Sequence, residues 1–190
     1  VLDYAPVTQG MVGQAVSPFA LCEATMRTSD NTAANLVLET LGGPPAVTQF
    51  MRGLGDTATR LDRMEPALNQ ATPGDPRDTT TPRAMVTALE TLVLGDALPE
   101  ADRETLTAWL VGNEVAEPLL RAALPGDWRI ADRSGAGGHG SRGIAAVIWP
   151  PHAPPVTVAF YMTETEASMD ERNDAIAQWG SALVRTLGEP

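Results

Sequence analysis

The chain contains no lysine. All 13 of its basic residues are arginine, set against 24 aspartates and glutamates, and the net charge of −11 leaves no basic block along it. That balance argues against nucleic acid and anionic membrane surfaces as partners, since both recruit clustered cations. Arginine standing in for every lysine is what a GC-rich coding bias produces. No apolar run approaches the roughly 18–20 residues that cross a bilayer. Cysteine is nearly absent: a single Cys22 rules out an internal disulfide. Phe19, Leu21 and Met26 place it on a helix with an apolar stripe, as a buried free thiol or as the partner of a cysteine outside these residues. Histidine is scarce too, and His139, in a Gly-rich turn with no His or Cys companion, reads as an exposed turn residue and not a metal ligand. The opening Val1-Leu2-Asp3-Tyr4 has neither an initiator Met nor the layout of a signal peptide. A mature secreted protein and a fragment would both begin this way. There are no internal repeats and no low-complexity tract.

What is present suffices for one ordinary domain: 190 residues, 43% of them apolar, can bury a sizeable core. Residues 1–16 read as a turn-rich lead-in. Ser17-Pro18 is an N-cap followed by proline at the first helical position, opening a helix to about Arg27. After the polar break Thr28-Ser29-Asp30, a second helix carries Leu36, Val37 and Leu41 and stops at Gly42-Gly43. Pro44 or Pro45 starts a third, with Val47, Phe50 and Met51 on one side, ending at Gly53. From Gly55 to Thr80 periodicity fails. That stretch holds five acidic and three arginine side chains among its prolines and glycines, as expected of an ordered functional loop clamped by ion pairs. Helical spacing returns over Pro82–Leu94 and Pro99–Val111, with a shorter piece at Pro118–Leu124. The period then switches to two, predicting strands at Trp128–Asp132, Ile144–Trp149 and Val156–Thr163. The Pro-rich turn 150–155 implies that the last two are antiparallel. An amphipathic helix, Met169–Leu187, closes the chain. The expected class is α+β: a mainly helical region, 1–127, packed against an antiparallel sheet with a C-terminal helix, 128–190.

Three short segments can carry chemistry. Ser29-Asp30-Asn31 lies between two helices and either caps the second or offers a hydroxyl and an amide to a cleft. Glu65, with Asn69 four residues on, could hold a water between carboxylate and amide, as a general base requires, or be an ordinary solvated glutamate. Arg60-Leu61-Asp62-Arg63 before it and Asp78 after it supply ion-pair partners. Arg133-Ser134-Gly135-Ala136-Gly137-Gly138 is expected to follow a strand. There it forms either a plain charged hairpin or a carboxylate-binding edge of cation and hydroxyl, with Arg142 on the next strand as a second cation and glycines admitting close backbone approach.

In this order and at these separations, the segments resemble those of class A serine β-lactamases. The likeness runs from Tyr4 through Ser29-Asp30-Asn31-Thr32-Ala33-Ala34-Asn35, Arg60–Asn69, Arg77–Thr80, Arg133–Gly137 and Gly140–Gly143 to Met169–Asn173. Arg-Ser-Gly at 133–135, where Lys-Thr/Ser-Gly is usual, resembles the carbenicillin-hydrolysing subgroup. The family's Ser-x-x-Lys segment, which precedes Tyr4 in family order, is absent. The resemblance implies a serine β-lactamase/D,D-peptidase-like fold that hydrolyses penicillins, carbenicillin among them, in the periplasm or outside the cell. It implies no metal or organic cofactor. The nucleophile and its lysine would come from a segment of the same protein outside these residues.

The implied roles follow residue by residue. Ser29 shuttles a proton to the leaving β-lactam nitrogen, and Asn31 binds the acyl side-chain amide. Glu65 and Asn69 activate the deacylating water. Arg133, Ser134 and Arg142 receive the substrate carboxylate beside Gly135, and the Ala136 N–H forms half of an oxyanion hole. Tyr4 walls the cleft. Arg63 and Asp78 pair at the neck of the Glu65 loop, and Cys22 corresponds to a cysteine that some relatives bridge to one near the lysine motif. Alternatives are a D,D-peptidase, which would lack a dedicated base such as Glu65, and a non-catalytic binding fragment. Without the nucleophile segment, an open sheet edge and an apolar groove beside Ser29 and Ser134 are expected, and the 190 residues alone should be inactive.

Overall fold

Ser17 opens the first helix as the sequence indicates: its side chain accepts from the Ala20 N–H at 3.2 Å, with Pro18 in the first turn. The computed structural model describes residues 1–188. It runs α1 (Pro18–Thr28), α2 (Asn31–Leu41), α3 (Pro44–Gly53), α4 (Pro82–Leu89), α5 (Glu100–Val111), strands β1 (Arg129–Ala136), β2 (Arg142–Trp149) and β3 (Val156–Met162), and α6 (Met169–Gly188). Gly42, at φ +98, ends α2 in the left-handed conformation that glycine adopts without penalty, and the Gly43 N–H returns to the Leu38 carbonyl at 2.7 Å. The stretch 54–81 contains only one 3₁₀ turn, Ala67–Gln70.

Two sequence expectations are corrected. The helix expected over Pro82–Leu94 is α-helical only to Leu89. One π-helical turn, Glu90–Leu94, follows and closes with the Gly95 N–H on the Glu90 carbonyl at 2.8 Å. The wider turn seats Val93 in a cluster with Leu110, Ala131 and Val147, a demand of tertiary packing that helical spacing does not encode. The second correction places Arg133-Ser134-Gly135 inside β1, not after it. Arg133 pairs with Ala145, Ser134 with Ile144, Gly135 with Gly143 and Ala136 with Arg142. Apolar alternation stops at the buried but charged Asp132, and from Arg133 onward the strand grows progressively more exposed, yet its ladder continues.

The sheet is antiparallel in the order β1-β2-β3. Central β2 is buried on both faces. Ile144, Ala146 and Ile148 meet Ile176 of α6 together with Leu119 and Leu120, while Val147 on the opposite face meets Leu110 and Val93. Leu119 and Leu120 come from the helical region, so one core spans both halves of the chain. Among the described residues, β3 has no strand on its outer side. The outer edge of β1 is capped instead by Asn113, whose Nδ2 donates to the Asp132 carbonyl at 3.1 Å.

Candidate active site

The Ser-Asp-Asn triplet divides its labour. Asp30 is the helix cap and is wholly buried. Its carboxylate accepts from Ala33 N at 2.8 Å, Val7 N at 3.0 Å, Thr8 N at 2.8 Å and Thr8 Oγ1 at 2.8 Å. Burial opposes its charge, but these donors outweigh burial and hold the carboxyl below its ordinary pKa. Ser29, before it, ends α1 in the left-handed region at φ +62, its N–H on the Thr25 carbonyl at 3.1 Å. A non-glycine residue in that conformation costs about 1 kcal/mol or more, and such residues cluster at functional sites. After it, the Asn31 N–H donates to the Tyr4 carbonyl at 3.1 Å, tying the lead-in to the start of α2. The Asn31 side chain makes no hydrogen bond within the described residues, and Tyr4 is 48% exposed.

Ser29 and Arg133, 104 residues apart in the chain, meet directly: Arg133 Nη2 donates to Ser29 Oγ at 3.0 Å. Arg133 Nη1 donates to the Met26 carbonyl at 2.9 Å and to Asn113 Oδ1 at 3.2 Å. Burial lowers the pKa of the guanidinium, with Asp132 and Tyr4 opposing the shift. Because protein oxygens already occupy both terminal nitrogens, the fork is not free to clasp a carboxylate from both sides. Arg133 instead fixes the Ser29 hydroxyl as an acceptor, which leaves the Ser29 O–H proton to point elsewhere.

Glu65 is held from two directions. The Asn35 amide grips its backbone, with Glu65 N donating to Asn35 Oδ1 and Asn35 Nδ2 donating to the Glu65 carbonyl, each at 2.9 Å. Asn69 Nδ2 donates to the carboxylate itself. Burial raises the Glu65 pKa, and the Asn69 bond moderates the rise, the shift that suits a general base. At the loop neck, Asp78 Oδ1 accepts from the N–H groups of Asp62 and Arg63 at 2.7 and 2.9 Å. Asp78 Oδ2 pairs with Arg63, whose side chain is 14% exposed against 3% for Asp78. Asp62 returns the contact by accepting from Asp78 N at 2.9 Å.

The loop also docks on the β1–β2 turn. Gly138 N donates to the Asn69 carbonyl at 2.8 Å. A Cβ on Gly137 would lie 2.6 Å from that same oxygen, so only glycine allows the approach. Between loop and sheet runs a groove of about 540 Å³, lined by Asn69, Arg133, Ser134, Gly135, Ala136 and Arg142 among others. Its other lining residues include Leu68, Met85, Ile144 and Tyr161, so much of its wall is apolar. Arg142 donates through Nε to Asn173 Oδ1 at 2.9 Å and through Nη1 to the Gly135 carbonyl at 3.1 Å. Its pKa is lowered by burial and by neighbouring Arg172.

The groove therefore gathers Asn69, Arg133, Ser134, Gly135, Ala136 and Arg142. Tyr4, Ser29, Asn31 and Glu65 do not line it, and Ser29 joins it only through Arg133. Cys22 is a free, half-buried thiol with its pKa raised by burial. His139 is exposed, and no metal-binding cluster of His, Cys, Asp or Glu occurs among the described residues. Nothing local in the sequence marks the contacts of Asn35 with Glu65 or of Asn113 with Arg133. The available signal for Asn35 was an asparagine inside an otherwise good helix, a residue that competes with helical backbone and stays there for a tertiary partner.

A family model described as the beta-lactamase enzyme family matches residues 1–187. Beta-lactamase PSE-4 of Pseudomonas aeruginosa is 51% identical over 183 residues, covering 96% of this chain and 64% of that protein. Beta-lactamase AER-1 of Aeromonas hydrophila is 50% identical over 188 residues, covering 98% of this chain and 62% of that protein. The chain spans a little under two thirds of the length of these relatives. Among solved structures, an ancestral (GNCA) class A β-lactamase matches with a TM-score of 0.96 at 53% identity, covering 98% of this chain and 72% of that one. The chromosome-encoded β-lactamase of Vibrio parahaemolyticus matches with a TM-score of 0.97 at 49% identity, covering 100% of this chain and 72% of that one.

Proposed function

The chain belongs to the class A β-lactamase family, and from that premise we propose that it carries the proton-relay, deacylation and carboxylate-binding parts of a serine β-lactamase. Its substrates are penicillins, including carbenicillin. The Ser-x-x-Lys nucleophile comes from a segment of the same protein outside these 190 residues. The unpaired side of β3 supports this reading, because a strand from that segment would pair and cover it. We place the working enzyme in the periplasm or outside the cell. No helix among the described residues is long and apolar enough to cross a membrane.

In this mechanism the nucleophilic serine attacks the lactam carbonyl while the developing oxyanion takes a hydrogen bond from the Ala136 N–H at the end of β1. The lactam carbonyl–nitrogen bond breaks, and Ser29 passes a proton to the departing nitrogen while regaining one that the attacking serine's hydroxyl gives up through the lysine of the same Ser-x-x-Lys segment. Arg133, donating to Ser29 Oγ, keeps the hydroxyl oriented so that its proton faces the substrate. Arg133, Ser134 and Arg142 form the positively charged rim that receives the carboxylate on the bicyclic nucleus, and Asn31 binds the side-chain amide. Glu65 then removes a proton from the water that Asn69 helps to hold, the water oxygen attacks the ester carbonyl, the acyl–serine bond breaks, and the proton passes to the leaving serine oxygen. Tyr4, tied by its carbonyl to Asn31, walls the cleft. Arg63 and Asp78 keep the loop that presents Glu65 closed at its neck.

The observation that carries the proposal is the half-buried Glu65 carboxylate, bonded to Asn69 and anchored through its backbone by Asn35. It is a dedicated base that favours turnover over the long-lived acylation of a D,D-peptidase. The test is Glu65→Gln in the complete protein. Penicillin turnover should fall about 10²–10⁴-fold, and a persistent penicilloyl adduct should appear by mass spectrometry. Unchanged steady-state turnover would overturn the assignment.

A further inference from the structure

Asn113 stands where three features meet: the outer edge of β1, a buried ion pair and the Arg133 guanidinium. It is 3% exposed and follows the C-terminus of α5. The chemistry of its neighbours dictates which way its amide faces. Val115 N, at 3.2 Å, and Arg133 Nη1, at 3.2 Å, can only donate, so Oδ1 faces them. The Asp132 carbonyl, at 3.1 Å, and Asp132 Oδ1, at 3.0 Å, can only accept, so Nδ2 faces them. Asp132 is wholly buried, and Arg121 holds it with Nη2 at 2.8 Å and Nε at 3.1 Å. Arg121 also donates to the Leu110 and Val111 carbonyls at 3.1 and 2.9 Å. The segment bearing Asn113 is fastened to α1 as well: Arg27 Nε donates to the Gly112 carbonyl at 3.3 Å, and Glu114 N donates to the Arg27 carbonyl at 2.8 Å.

Consecutive strand residues face opposite sides of a sheet, so Asp132 and Arg133 cannot reach each other's contacts directly. The Asn113 amide, lying across the strand edge, touches both. We propose that Asn113 is a positioning residue for the reaction proposed above, on which its kinetic consequence rests. By locking one terminal nitrogen of Arg133 against the Asp132–Arg121 pair, it leaves the other aimed at Ser29 Oγ. An arginine on a flexible side chain has many rotamers that miss Ser29. The Met26 carbonyl alone restrains one point, whereas Met26 and Asn113 together define the plane of the fork. Arginine needs this second acceptor more than lysine would, because a planar guanidinium must be fixed in rotation as well as in position.

Two measurements on the complete protein test the inference. The first is the NMR signal of the Arg133 guanidinium in parent and Asn113→Ala, read without substrate. A shifted or exchange-broadened resonance is expected, and an unchanged one overturns the proposal. The second is a double-mutant cycle on penicillin turnover. Asn113→Ala should lower kcat/KM about tenfold, chiefly through kcat, when residue 133 is arginine. In the Arg133→Lys background it should lower kcat/KM by less than about twofold. Equal losses in both backgrounds mean a merely structural role and sink the idea. Should Asn113→Ala not fold, Asn113→Ser, which keeps a donor for Asp132 but lacks the reach to Arg133, carries the same two readings. A parent protein that hydrolyses no β-lactam defeats the proposed function alone, since the guanidinium resonance still decides for or against Asn113.

Discussion

The loop bearing Glu65 and the β1–β2 hairpin bearing Arg133 and Ser134 face one another across the groove, yet they hold their shape by opposite means. The hairpin is fixed by burial: β2 is sunk on both faces, with Ile144 at 1% and Val147 and Ile148 at 0% exposure. Strand register sets the face that each of its side chains takes. The loop has almost no buried apolar residue and is fixed by polar contacts, from the Arg63–Asp78 pair to the Asn35 grip on Glu65. Apolar burial is insensitive to pH, whereas carboxylate-centred contacts depend on ionisation and are screened by salt. The candidate site therefore joins a half held by apolar packing to a half whose geometry depends on the ionisation of a few aspartates.

The sharpest test of this contrast is a truncation in the hairpin. Ile148→Ala should cost about 3 kcal/mol and lower the Tm of the whole molecule by roughly 6–12 °C in a single transition. Asp78→Ala should act locally. Removing the acceptor of two loop N–H groups and the partner of Arg63 should open the neck, at a cost of about 2 kcal/mol to that segment, with a much smaller fall in Tm. Limited proteolysis confined to residues 60–80 and faster amide exchange there are the readouts. A Tm loss matching that of Ile148→Ala would erase the distinction. The smallest effect is expected from acid. The Arg60 side-chain hydrogen bond holds Asp62 at a pKa of about 2, and the Arg77 side-chain hydrogen bond does the same for Asp75, against an ordinary 3.8. A carboxyl whose pKa is depressed by folding contributes its stability in full above its unfolded value and loses it as the pH falls through the folded one. The protection factors of the loop amides, corrected for the intrinsic pH dependence of exchange, should therefore fall progressively from about pH 4 down to about pH 2, while those of β2 remain high. Equal loss of protection in both would contradict the comparison.

Much of the site was legible because its chemistry is carried by side chains in short segments. The loop from Gly55 to Thr80 stood out by failing every periodicity while keeping balanced charges, and its neck pair joins the two residues named for it. The three C-terminal strands and the helix starts at Ser17-Pro18 and Pro44 were readable for a similarly local reason, since caps, prolines and period-two alternation act over a few residues. Local pattern ends the strand before Arg133 because apolar alternation stops at the charged Asp132, and nothing local reports that the ladder continues to Ala136. The bonds that occupy both terminal nitrogens of Arg133 are illegible for the same kind of reason. The acceptors, the Met26 carbonyl, Asn113 and Ser29, come from distant parts of the chain.

By itself, then, the sequence determined most element types and the family, because each is written in residue identity and short-range spacing. Only the tertiary structure decided which residues meet. It assigned Asp30 to bury itself beneath Thr8 while Ser29 turned toward Arg133, drew Asn35 to the backbone of Glu65, and laid the Asn113 amide across the edge of β1. Each of these contacts satisfies a polar group that folding removes from water. The partner is whichever complementary group the packed chain brings within about 3 Å, a distance that no separation along the sequence encodes.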